Sequence, residues 1–128
     1  MEWKRLAHNM EEYLSVLLPL VREGTASHAG DTYSFHGNVD VDAAPVPVIL
    51  AALAPRMLHL AGAEADGTAT WMTGPQTLET HVVPSITKAA ADAGRPAPRV
   101  LAALPVMVTD DPDGARERAE SVFSIYGT

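Results

Sequence analysis

The chain contains no cysteine, which excludes disulfides, thiolate metal sites and cysteine nucleophiles. Positive charge is scarce: 9 Lys and Arg stand against 16 Asp and Glu, for a formal net charge of −7. That balance argues against nonspecific attraction to nucleic acid or to anionic membranes. No apolar run approaches the roughly 20 residues that a membrane span requires. The opening MEWKRLAHNMEE is no secretory signal, so a cytoplasmic protein without nucleic-acid or membrane partners is expected. Exact repeats and low-complexity segments are missing, as are Ser–His–Asp, Walker and GxGxxG patterns. His8, His28 and His36 are scattered without ligand spacing, and no metal is expected.

What remains is ordinary for a soluble globular chain: 128 residues, 47% apolar and 20% charged, enough for one domain with a modest core. Residues 3–22 read as an amphipathic helix. Leu6, Met10, Tyr13, Leu14, Leu17, Leu18 and Val21 share one face and Glu11 and Glu12 the other. Pro19 predicts a kink or an early end, and Gly24 a stop. Residues 25–37 alternate around a turn at Ala29–Gly30–Asp31 and predict a small hairpin, followed by a proline-bearing loop to residue 47.

Residues 47–72, PVILAALAPRMLHLAGAEADGTATWM, organise the rest. Val48, Ile49 and Leu50 form an apolar β-branched run without alternation, as in a strand covered on both faces. Pro55 suits a first helical position, where its missing N–H costs nothing. Met57, Leu58, Leu60, Ala61 and Ala65 then recur at helical spacing, Gly67 ends the helix, and Thr68 to Trp71 resume an extended pattern. A second helix follows Gly74–Pro75, with Thr73 or Thr77 as its cap, Pro84 inside it and Gly94 as its stop. Residues 99–108 predict a third strand that Pro105 would bulge or end at Leu104. Thr109–Asp110–Asp111–Pro112 reads as the cap of a last helix over residues 113–126, with Ala115, Ala119, Val122 and Phe123 inward. The order helix, hairpin, then strand–helix three times calls for an α/β fold with a parallel sheet. That is a small open sheet or about half of a (β/α)₈ TIM barrel, since a whole barrel takes about 250 residues.

In such a sheet ligands bind beyond the carboxyl ends of the strands. Ala51, Ala52 and Ala54 are small enough for a ligand to approach the backbone there. The helix after Pro55 offers free N–H groups and a positive dipole end, and Arg56 adds a cation. These features suit a phosphate, and they equally suit the packing of a tight turn. Trp71 can stack on a flat ring or fill a core. Thr70 and Thr73 can donate to a ligand or cap a turn. His59 and His81 fall on helices and read as surface or packing residues. Asp110 and Asp111 read as capping groups rather than paired acid–base carboxylates.

Segments collinear from residue 9 to 127 resemble the luciferase-like monooxygenase superfamily, and its actinobacterial coenzyme F-420-dependent oxidoreductases in particular. They include MEEYLSVLLPLVREG, PVPVILAALAPRMLHLAGAEADGTATWMTGP, HVVPSITKAAADAGRPAPRV and LPVMVTDDPDGARERAESVFSIYG. The resemblance implies that residues 1–128 form one partial luciferase-like domain, from the fourth helix of a TIM barrel to the seventh. The strands at Val48, Gly67 and Val100 would be the fifth, sixth and seventh. It places the cofactor's phosphate end at Ala51, Ala52, Leu53, Ala54, Pro55 and Arg56, and Gly67, Thr68 and Ala69 beside the cofactor chain. Trp71 is the candidate for contact with its ring. Many relatives have glycine where Ala54 stands, and a methyl group there would crowd a phosphate or forbid a positive φ. The first four strands and the eighth are not in the sequence, which therefore looks like a fragment.

The implied function is hydride transfer between coenzyme F-420, or alternatively FMN, and an organic substrate. The alternative is a non-catalytic half-barrel that binds a phosphate-bearing cofactor weakly or acts through self-assembly, as a homodimer closed over the open sheet.

Overall fold

The computed structural model describes residues 5–40 and 44–124. Helix α1 (Leu6–Glu23) buries Leu14 and Leu18 and ends at Gly24, whose φ of 75° is the left-handed stop that glycine adopts freely. Pro19 lies inside α1 and neither ends nor shortens it. The helix forfeits one backbone bond there, and packing of Leu14 and Leu18 on the core compensates.

Strands β1 (Thr25–Ala29) and β2 (Ser34–Asn38) form the antiparallel hairpin that alternation predicts. Glu12 does not lie on a solvated face of α1; it is 7% exposed and closes the hairpin turn. Its Oε1 accepts the Asp31 N–H at 2.9 Å, and its Oε2 accepts those of Thr32 and Tyr33 at 2.7 and 2.9 Å. The Tyr33 N–H above all, then those of Thr32 and Asp31 with His8 nearby, hold its carboxyl at about 2 against an ordinary 4.5 despite burial.

The second sheet is parallel in the order β3 (Ile49–Ala51), β4 (Gly67–Trp71), β5 (Arg99–Ala103). Helix α2 (Pro55–Ala63) ends at Glu64, so Gly67 opens β4 rather than closing the helix. A Cβ on Gly67 would lie 2.2 Å from the Arg99 carbonyl oxygen, so β4 and β5 meet only because that side chain is absent.

One helical rod follows β4: a turn α3 (Pro75–Thr77), a π-helical turn over Leu78–Val82, and α4 (Val83–Asp92). Neither Thr73 nor Thr77 caps it; Gly74 holds that position without a side-chain bond. Pro84 falls in the first turn of α4, just after the widened turn in which the Val83 N–H reaches the Leu78 carbonyl. The π turn lets the rod pass its proline unbroken.

Strand β5 stops before Leu104 and Pro105, the early end predicted for it rather than a strand to residue 108. Helix α5 (Pro112–Val122) starts at Asp111, whose Oδ1 accepts the Gly114 N–H at 3.0 Å. Its predicted inward face is not buried: α5 contains no buried residue, and Ala119 and Val122 are exposed. Phe123 makes a tilted ring contact with Trp71, centroids 6.4 Å apart.

Register rows set the two faces of the parallel sheet. Leu50, Thr68 and Val100 align and lie with Leu58, Leu60, Val82 and Ile86 under α2 and α4. Ala51, Ala69 and Leu101 align on the other face, with Trp71 and Ala103 beyond them. That face is open: Trp71 is 51% and Leu101 49% exposed.

Candidate functional site

The loop from β3 to α2 is held from behind by hydrogen bonds to its carbonyl groups. The Thr68 hydroxyl, fully buried, lies 3.0 Å from both the Leu50 and the Ala52 carbonyl oxygens. It has one proton, so it serves them in turn or shares between them. From the π turn, His81 Nε2 reaches the Leu53 carbonyl at 2.9 Å. A carbonyl only accepts, so the proton sits on Nε2. The Ala54 carbonyl accepts the Leu58 N–H at 2.9 Å and completes the entry to α2.

The front of the loop is bare. Ala51, Leu53, Ala54, Pro55 and Arg56 are exposed, and Ala52 is buried. Helix α2 has no side-chain cap, which leaves the first-turn N–H groups of Arg56 and Met57 for an external acceptor. Ala54 has φ −68° and ψ 145°, an extended conformation open to any residue; the loop needs no glycine there. Arg56 turns toward α1, with Nη2 3.3 Å from both carboxylate oxygens of Glu11. Both partners are largely exposed, and such pairs contribute about 0–1 kcal/mol.

Of the other residues singled out in the sequence, Ala69 and Trp71 lie on the open face, while Gly67 and Thr68 are buried. Thr70 is buried and Thr73 bonds the Trp71 carbonyl at 3.3 Å, so both serve the backbone. Sequence reasoning passed over Met72, which has φ 50° at the carboxyl edge of β4. A long side chain in the left-handed region costs energy, and such residues cluster at functional edges. It also gave His81 no part in the loop; its signal is only its position 28 residues from Leu53, which a helical rod brings back.

At the opposite, amino edge of the strands lies a concavity of about 380 Å³ whose lining includes Arg22, Asp66, Arg95 and Arg99. Asp66 holds Arg95 at 3.0 Å and Arg22 at 3.6 Å there, and its Oδ2 accepts the Val48 N–H at 2.8 Å. Those bonds tie α1, β3 and the approach to β5 together.

A parallel sheet with two docked crossover helices, an open inner face and an uncapped helix at its carboxyl edge defines part of a (β/α)₈ barrel. The model of the luciferase-like monooxygenase family matches residues 1–127, and the chain belongs to that family. Among solved structures it is similar to the coenzyme F-420-dependent tetrahydromethanopterin reductase of Methanopyrus kandleri, at 27% identity and a TM-score of 0.75. The match covers 94% of this chain and 36% of that one, so the chain spans about a third of the reductase's length. No curated protein matches it.

Proposed function

We propose that the β3–α2 loop holds the phosphate end of a deazaflavin of the coenzyme F-420 type, in an oxidoreductase of luciferase-like architecture. The observation that carries this reading is the uncapped start of α2. Two first-turn N–H groups there have no side-chain cap, on a loop fixed from behind by Thr68 and His81. The family match and the similarity to a reductase that depends on this coenzyme support it. Arg56 is one side-chain rotation from the same place and leaves only an exposed ion pair to get there. Trp71, Ala69 and Ala51 offer a flat apolar floor on the open face, suited to a ring system.

When bound, the deazaflavin supplies hydride transfer to or from an organic substrate. This chain's residues bind and orient: α2 neutralises the phosphate, and the sheet face keeps water from one side of the ring. FMN shares the phosphate and the flat ring and is the alternative occupant. Fluorescence titration with coenzyme F-420 and, separately, with FMN tests the reading. A saturable change with F-420 supports it, saturation with FMN alone moves the site to the flavin, and no change with either ends it.

The open face favours a second reading. Ala51, Ala69, Leu101 and Ala103 form a nearly apolar surface of the kind that soluble chains cover, and we infer that two copies close over it as a homodimer. Sedimentation should show a dimer that Leu101→Lys dissociates; a monomer at all concentrations contradicts it.

A further inference from the structure

Where α1 meets the hairpin turn, three side chains with metal-binding chemistry converge outside the loop described above. His8 and Glu12 are four residues apart on α1 and therefore share a face. His8 Nε2 lies 3.0 Å from Glu12 Oε1 and 3.8 Å from Asp31 Oδ2. One ligand atom from each of the three lies within 4.8 Å of the other two.

Two further observations set this cluster apart from a settled ion pair. His8 Nε2 is buried and has no hydrogen-bond partner, although Glu12 Oε1 is so near; the oxygen lies off the direction in which the ring nitrogen bonds. His28 Nε2 is likewise buried without a partner. It lies on the Oε2 side of the same carboxylate: a Cβ on Gly30 would lie 2.6 Å from it and 2.5 Å from Glu12 Oε2. Two buried imidazole nitrogens left unbonded beside a carboxylate are costly without an occupant.

We propose that His8 Nε2, Glu12 Oε1 and Asp31 Oδ2 bind a divalent transition-metal ion of the zinc class. At the tetrahedral angle, bonds of about 2.0–2.2 Å set neighbouring ligand atoms about 3.3–3.6 Å apart, between the 3.0 and 3.8 Å found here. Two ligands that close subtend about 90° at the ion, which puts the oxygen off the imidazole axis, as observed. Glu12 keeps a lone pair for this: Oε2 takes two N–H bonds and Oε1 only one. Glu11 Oε2, 3.8 Å from His8 Nδ1, favours the tautomer protonated there and leaves Nε2 as the donor atom. Arg5 Nη1 is 3.8 Å from Asp31 Oδ2 and is the group the ion must displace. The ion would pin the hairpin to α1.

The test uses the whole chain without a histidine tag, titrated with Zn²⁺ by calorimetry and with Co²⁺ by visible absorption. One ion per chain is expected, with d–d bands in the Co²⁺ form and a Zn²⁺-dependent rise in Tm. His8→Ala and Asp31→Asn should each weaken binding at least about tenfold, and His59→Ala, an exposed control, should not. Asp31 is 77% exposed at its side chain, so its variant keeps the fold and remains informative if His8→Ala unfolds. No saturable binding, or binding unchanged by Asp31→Asn, overturns the proposal.

Discussion

The first two strand–helix units and the third follow one sequence pattern and reach different ends. Helix α2 and the rod that ends in α4 bury Leu58, Leu60, Val82 and Ile86 over the sheet, whereas α5 contains no buried residue. The difference lies in the neighbours: α2 and α4 seat on each other over the sheet, whereas among the described residues no element packs closely against α5. An amphipathic helix packs where a sheet row and a second helix form a groove for it, and periodicity alone does not supply that groove.

Substitutions can break this contrast. Leu58→Ala, at a fully buried position, should cost about 2–5 kcal/mol in urea unfolding, while Val122→Ala in α5, 66% exposed, should fall within about 0.5 kcal/mol. Equal costs would mean that α5 packs as α2 does. Gly62 sharpens the same point from the backbone, because a Cβ there would lie 2.4 Å from the Ile86 carbonyl oxygen where α2 crosses α4. Gly62→Ala should therefore destabilise by about 1–3 kcal/mol, and a neutral result would show that the two helices are not closely seated.

A smaller effect, one that depends on pH, belongs to the α1–hairpin junction. The Glu12 carboxyl is depressed to about 2 from 4.5, so its stabilisation is complete above pH 4.5 and lost as the pH falls toward 2. Glu12→Gln should lower Tm at neutral pH and flatten the dependence across that window; an unchanged acid profile would remove Glu12 from the junction. The smallest effect belongs to Arg56→Ala, which should weaken coenzyme binding several-fold with little change in Tm, because its pair with Glu11 is exposed. Unchanged affinity would take Arg56 out of the site.

Much of the architecture was legible because the chain marks it with glycine, proline and apolar period. The left-handed stop at Gly24, the start of α2 at Pro55, the end of β5 before Pro105 and the Asp111 cap all follow from local chemistry. The errors arose where tertiary contact overrules a local rule. Pro19 sits inside α1 without ending it early, and Glu12 leaves a polar face for three N–H groups some twenty residues away. At the site, the small residues and the helix start could be read in order. The supports from Thr68 and His81 could not, because both act across the fold.

The most direct test of the central claim is a two-dimensional amide NMR titration of the chain with coenzyme F-420. The account predicts that the largest shifts fall on the Arg56 and Met57 N–H groups at the uncapped start of α2, with Trp71 responding on the open face. Shifts centred instead on Arg22, Arg95 and Arg99 at the opposite edge, or none at α2, would contradict it.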